Sequence, residues 1–225
     1  MTQEKRKYAV VDLEATSASS NAKIIQVGIV IIENSQIVKT YETDVNPHEK
    51  LDSHICQLTG LTDKRLRRAP DFSQVAREIY ELIEDAIFVA HNVKFDANLL
   101  AEALFWEGFE LVTPRVDTVE LAQVFFPTFE KYNLGILCEQ LDIPLKHAHT
   151  ALADASATAT LFLKIQEKIQ KLPKELVEYL LKFSESLIYE SRLAIEDAFN
   201  QMSDITCHDL MKWQGIFLRK STKSK

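Results

Sequence analysis

Tyr8-Ala9-Val10-Val11-Asp12-Leu13-Glu14 runs from small and β-branched apolar residues straight into two acids set one residue apart. The apolar part predicts a strand. Alternate strand positions project on the same face, so Asp12 and Glu14 can reach one cation without distorting the backbone. By itself an Asp-x-Glu at a strand end is more often a solvated turn. The apolar Val10-Val11 ahead of it weighs toward a site.

Outward from this strand, Ile24 to Ile32 and Ile37 to Val45 flank the polar turn Glu33-Asn34-Ser35-Gln36 and predict a hairpin. Ser53 to Leu58 and Asp71 to Ile83 read as helices, the second with Phe72, Val75, Ile79, Leu82 and Ile83 at amphipathic spacing. A strand at Ala86 to Ala90, a helix over Asp96 to Trp106 and a short strand over Val112 to Val116 follow. Asp117-Thr118-Val119-Glu120 has the form of a capping box opening a helix through Phe126, and a further helix spans Ala151 to about Gln170. Three antiparallel strands followed by two strand and helix units predict an α/β fold. Its mixed five-stranded sheet is flanked by helices on both faces, and ligands gather at strand carboxyl ends. Leu172-Pro173-Lys174 breaks the pattern and divides a main domain, 1–172, from a helical extension, 173–225. In the extension an amphipathic stretch runs from Glu175 to about Met202, and Arg219 to Lys225 forms a basic tail or a linker to a further domain.

With 46% hydrophobic and 26% charged residues among 225, the chain is globular in composition and can bury a sizeable core. Its formal net charge of -7 argues against coating nucleic acid by charge alone. Cys56, Cys138 and Cys207 are far apart and lack Cys-x-x-Cys spacing, which suggests reduced thiols in a cytosolic compartment. No stretch of about 18 apolar residues occurs, so the expectation is a cytoplasmic protein with no membrane partner.

More acids stand at predicted element ends. Asp96 follows Phe95 at a helix start, where it serves either as a cap or as a metal ligand. His91-Asn92, just upstream, leaves the fourth strand toward the edge that carries Asp12. Asp154 lies in the small-residue helix from Ala151 to Ala159, which can pack close to another element. His149 precedes that helix, near enough to act on a water held by a metal that Asp154 binds; the alternative is an exposed loop histidine beside His147. Asp117 is set aside as a cap. Lys64-Arg65-Leu66-Arg67-Arg68 reads as a solvated helix face or as a guide for a phosphate backbone. Acids gathered in one cleft repel each other, and hard divalent cations are the natural means of keeping several ionised.

The order Asp-x-Glu, Phe-Asp and His-x4-Asp resembles the DEDDh branch of the DnaQ-like 3'-5' exonucleases over about residues 7 to 168. The matching phrases are Val11-Asp12-Leu13-Glu14-Ala15-Thr16, Lys23 to Gly28, Leu58 to Asp63, His91-Asn92-Val93-Lys94-Phe95-Asp96 and His149 to Asp154. The resemblance implies a ribonuclease H-like fold. It implies that Asp12, Glu14, Asp96 and Asp154 hold two Mg2+ or Mn2+ ions, that His149 is the general base, and that Thr16 and Asn92 lie near the terminal nucleotide. Thr150 stands where the sister branch carries tyrosine, which favours His149 over His147. By this resemblance two cations about 4 Å apart activate water and stabilise the leaving 3' oxygen in an in-line displacement. The implied partners are 3' ends of single-stranded DNA or RNA, and the implied products are nucleoside 5'-monophosphates. The rival expectation is a catalytically silent nucleic-acid-binding or assembly module with the same fold.

The sequence departs from the commonest family phrases at Ala15 for Thr, Ser17 for Gly and Gln26 for Glu, which bears on the shape of the nucleotide pocket. The region after Pro173 is similar to the segment that follows the exonuclease domain in DinG-type proteins, where a helicase-like ATPase comes next. No Gly-x4-Gly-Lys-Ser/Thr phosphate loop occurs in this chain, so ATP hydrolysis by it is not expected.

Overall fold

The structure is a computed structural model that describes residues 6–19, 21–146 and 148–202. β1 (Lys7–Ala15), β2 (Ile24–Glu33) and β3 (Gln36–Asp44) form an antiparallel meander. Asn34 and Ser35 both have positive φ, 54° and 58°, the left-handed pair that a tight hairpin turn requires. After α1 (Ser53–Thr59), α2 (Asp63–Leu66) and α3 (Phe72–Ile83) come β4 (Ile87–Ala90), α4 (Val93–Trp106), β5 (Arg115–Asp117) and α5 (Thr118–Phe125). β4 and β5 run parallel to β1, and the sheet order is β3-β2-β1-β4-β5. The expected mixed five-stranded sheet is therefore present, and α6 (Leu134–Gln140), α7 (Ala151–Gln170), α8 (Lys174–Phe183) and α9 (Arg192–Asn200) follow it among the described residues.

The period-two alternation of β1 sorts its side chains between two cores. Tyr8 and Val10 join Val116, Leu121, Leu161 and Phe162 under α5 and α7. Ala9, Val11 and Leu13 pack instead with Ile79, Ile83 and Leu100 under α3 and α4. Asp12 and Glu14 thus continue the row that faces α7. β1 also outlasts its parallel partner, because the pairing with β4 covers only Tyr8–Val10. The two acids project beyond the end of β4, at the carboxyl edge of the sheet.

Four expectations change. α4 begins at Val93, not Asp96, so Asp96 lies within its first turn and Asn92 takes the cap position. The fifth strand begins at Arg115, not Val112, because Pro114 has no N–H to give a ladder and only its carbonyl serves, accepting from Phe88 N–H. The helices α2 and α6 are additional. The long stretch from Glu175 to Met202 is broken into α8, a 3-10 turn over Ser184–Ser186, and α9. Ser184 and Ser186 hydroxyls donate to the carbonyls of Leu181 and Phe183, the local bonding by which serine competes with helix propagation. Val177, Ala194, Ile195 and Ala198 are buried in the same core as Tyr8 and Phe162. The Tyr8 hydroxyl donates to Asp197, and Arg6 bridges Glu196 and Asp197. Cys56 and Cys138 are free thiols, while Cys207 and the basic tail lie outside the described residues. Among the described residues no helix is long and apolar enough to cross a membrane.

Candidate active site

Four acids reach the carboxyl edge of the sheet by three routes. Asp12 and Glu14 arrive on β1. Asp96 arrives from α4, on the opposite face of the sheet, and its Oδ1 accepts the Leu13 N–H at 2.9 Å. That bond ties the first turn of α4 to the part of β1 that β4 no longer covers. Asp154 arrives on the first turn of α7, and its Oδ2 accepts the backbone N–H of His149 at 3.0 Å.

Close approach of α7 depends on Gly28. It stands opposite Asp12 across the β1 and β2 ladder, and a Cβ there would lie 2.3 Å from the carbonyl of Ala151. Any side chain would push the helix start off the sheet. Gln26, opposite Glu14 and 2% exposed, then fixes the helix end: its Oε1 accepts the Ala151 N–H at 2.9 Å. Its Nε2 donates to Asp44 Oδ1 at 2.9 Å, and Arg65 donates to the same carboxylate. Gln26 was legible only as a departure from family phrasing; the available signal was one polar residue in the otherwise apolar strand Ile24 to Ile32.

The electrostatics are those of crowded, poorly hydrated acids. Burial pushes Glu14 up to about 7, with the Asp154 charge adding to the effect. Asp96 is likewise pushed up to about 7 by burial, against the opposing hydrogen bond from Leu13 N–H. Asp12 is held well above the ordinary carboxylate range by burial and by Asp96, Asp154 and Glu14. Asp154 is raised by burial, though His149 N–H opposes this. Asp12, Glu14 and Asp96 thus each feel at least one of the other acids, which is the pattern of a shared cation site.

The donor set fits such a cation. Ligand atoms of Glu14, His149 and Asp154 all lie within 4.8 Å of one another. Asp154 Oδ1 is buried without a hydrogen-bond partner, one of two such side-chain atoms among the described residues. A buried carboxylate oxygen left unpaired is costly unless a cation satisfies it. His149 takes a positive φ of 67°, uncommon for a non-glycine residue, and its side chain is exposed beside these acids. His147 lies outside the described residues.

The remaining sequence candidates surround this cluster. Thr16 turns the chain back after β1: its Oγ1 accepts the Lys23 N–H, and its own N–H donates to the Lys23 carbonyl. Ser17 does not take the left-handed conformation, so the position makes no demand for glycine. Asn92 does, with φ 70°, as the residue that turns β4 into α4, and its side chain is exposed. Asp117 caps α5 through Val119 N–H at 2.8 Å, as expected, and also accepts from Asn92 N–H at 3.0 Å and Val93 N–H at 3.2 Å. It therefore receives the starts of two helices. The reciprocal half of the capping box is absent: Glu120 instead accepts from the Ser191 hydroxyl and Ile188 N–H. His91 is structural, its two ring nitrogens 2.8 Å from Thr118 Oγ1 and from the Tyr132 carbonyl. In the basic cluster, Arg65 is paired with Asp44.

Comparison with known proteins bears on the fold and the family. A family model described as Exonuclease, RNase T, matches residues 9–162. The chain is 37% identical over 187 residues to the 3'-5' exonuclease DinG of Bacillus subtilis (strain 168), covering 82% of this chain and 20% of that protein. It is 40% identical over 185 residues to the DinG exonuclease of Staphylococcus aureus (strain USA300), covering 81% and 21%. The chain thus spans about a fifth of the length of these relatives. Among solved structures, Exonuclease X in complex with 5' overhanging duplex DNA superposes with a TM-score of 0.60 at 22% identity, covering 71% of this chain and 91% of that one. The nuclease domain of 3'hExo, a DEDDh family member bound to rAMP, gives 0.63 at 17% identity, with coverages of 74% and 94%. These last likenesses are of fold.

Proposed function

The chain belongs to the exonuclease family whose model spans residues 9–162, and from that premise we propose that it is a metal-dependent 3'-5' exonuclease acting on single-stranded DNA or RNA. The observation that carries the reading is the convergence of Asp12, Glu14, Asp96 and Asp154, all raised by burial and the first three also by neighbouring acids, with an unpaired carboxylate oxygen on Asp154.

In this reading the four acids hold two divalent cations, Mg2+ or Mn2+. When bound, the cations neutralise the carboxylates, lower the pKa of water and stabilise charge on the leaving oxygen. His149, exposed beside Glu14 and Asp154, takes the proton of the attacking water. The water oxygen bonds to phosphorus, the bond to the 3' oxygen breaks, and a nucleoside 5'-monophosphate leaves without a covalent enzyme intermediate. Asn92 and Thr16 border the terminal nucleotide, and Asp117 positions Asn92 by receiving its N–H.

We place the catalytic unit at 1–172, with 173–225 as a helical extension. The greater length of the DinG relatives is in keeping with a unit that works beside a helicase-like domain in cytoplasmic DNA repair or replication. The test uses 5'-labelled single strands of matched DNA and RNA, with free or blocked 3' ends. A ladder shortening from free 3' ends in Mg2+ or Mn2+, absent with chelator or in Asp12→Ala, is the expected result. Strand binding without shortening would instead mark a silent module with the same fold.

A further inference from the structure

α4 carries more than Asp96. Phe95, Asn98, Leu99, Glu102, Ala103 and Trp106 follow one another at three and four residue spacing and so form a single stripe along the helix. Two surface hollows share that stripe. The nearer one, about 370 Å³, is lined by Asn92, Lys94, Phe95 and Asn98 together with Leu99 and Glu102. The farther one, about 600 Å³, takes up at Leu99 and Glu102 and ends at Trp106, with Phe72 and His48 across from the helix. Leu99 and Glu102 line both, so the hollows adjoin as a two-part trough. It starts at Asn92, four residues before Asp96, and reaches Trp106, roughly 21 Å along α4 at the helical rise of about 1.5 Å per residue.

Its far end is unusual for a surface. Trp106 is 77% exposed and Phe105 beside it is 65% exposed, the two rings meeting edge to face. Exposed aromatics at the end of a trough that begins at a nuclease site suit the faces of nucleic-acid bases, which stack on aromatic side chains whatever their sequence. The charges favour the same orientation. Glu107 and Asp71 line the farther hollow and Glu102 lines both, carboxylates that would repel phosphates from the floor, whereas Lys94 lines only the nearer hollow, next to the site. Lys23, at the other wall, is engaged with Glu49 and the Pro47 carbonyl.

We propose that this trough holds the substrate strand upstream of its 3' end, bases inward and phosphates toward solvent, with Trp106 as the stacking platform for a nucleotide several positions from the cleaved bond. The inference rests on the exonuclease reading for its direction, but the stacking contact can be measured apart from cleavage. The trough makes the enzyme's grip depend on strand length without sequence readout.

The test compares the parent chain, Trp106→Ala and Trp106→Phe with oligothymidylates of two and eight nucleotides. For the parent, KM falls as the strand lengthens. Trp106→Ala should remove most of that gain, raising KM for the longer strand roughly tenfold relative to the shorter, and Trp106→Phe should restore much of it. Fluorescence anisotropy of a labelled dodecathymidylate in the presence of chelator supplies the second readout: binding weakens in Trp106→Ala and returns in Trp106→Phe. Equal length dependence in parent and Trp106→Ala, with equal anisotropy, would overturn the proposal. If the parent binds the strand through Trp106 yet cleaves nothing in Mg2+ or Mn2+, the exonuclease reading fails while the trough stands.

Discussion

Glu14 and Asp96 show at the scale of one residue what it costs to bring carboxylates together before a cation arrives. Burial, chiefly, raises Glu14 from 4.5 to about 7 and Asp96 from 3.8 to about 7. Between those values the folded chain holds protons that the unfolded chain has released, so raising the pH disfavours folding. The metal-free protein should therefore lose stability as pH rises from about 4.5 to 7. If the acids hold Mn2+ in the folded form, Mn2+ should reverse the loss. Denaturant unfolding across that range, with chelator and with Mn2+, checks this; a flat metal-free profile would contradict it. His149 carries a separate expectation: His149→Gln should lower kcat by about 10² to 10⁴, as read by single-turnover kinetics at saturating Mn2+. The placement of the acids and His149 at the ends of elements was legible because apolar runs stop or change period beside them. The wider role of Asp117 was not, since a capping motif names one helix and the carboxylate receives two.

At the scale of elements, the site depends on how closely α7 approaches β2. A Cβ at position 28 would meet Ala151 backbone at 2.3 Å, and backbone cannot yield as a side-chain tip can. Gly28→Ala should destabilise the fold by about 1–3 kcal/mol. It should also weaken Mn2+ binding, because Asp154 moves with the helix start. A melting curve and a Mn2+ titration on the same variant separate this from harmless accommodation, in which neither would change. Gln26→Leu should cost a similar amount, about 1–3 kcal/mol, by leaving the Ala151 N–H unpaired. The five strands and the shared face of Asp12 and Glu14 were readable from apolar runs bounded by turns and from strand geometry. The break between α8 and α9 was not, because the apolar spacing continues through Ser184–Ser186 while serine hydroxyls and the docking of Ile188 and Ser191 on Glu120 redirect the backbone.

Across the whole molecule, one sheet edge collects groups from both layers. Asp12 and Glu14 come down its centre, Asp96 from the α3 and α4 side, and Asp154 from the α7 side. The helices after Pro173 share the α7 core through Val177, Ala194, Ile195 and Ala198. A chain ended at residue 172 should therefore melt well below the parent, which differential scanning calorimetry would show. The packing of that region was hidden in the sequence because an amphipathic helix does not name the surface it covers. The measurement closest to the central claim is the initial rate of shortening of a 5'-labelled single strand as Mn2+ is titrated, for the parent chain and for Asp154→Asn. The account predicts a saturable rise from zero in the parent, with nucleoside 5'-monophosphates as product, and a loss of at least about a hundredfold in Asp154→Asn. Shortening that persists without metal, or equal rates for the two chains, would contradict it.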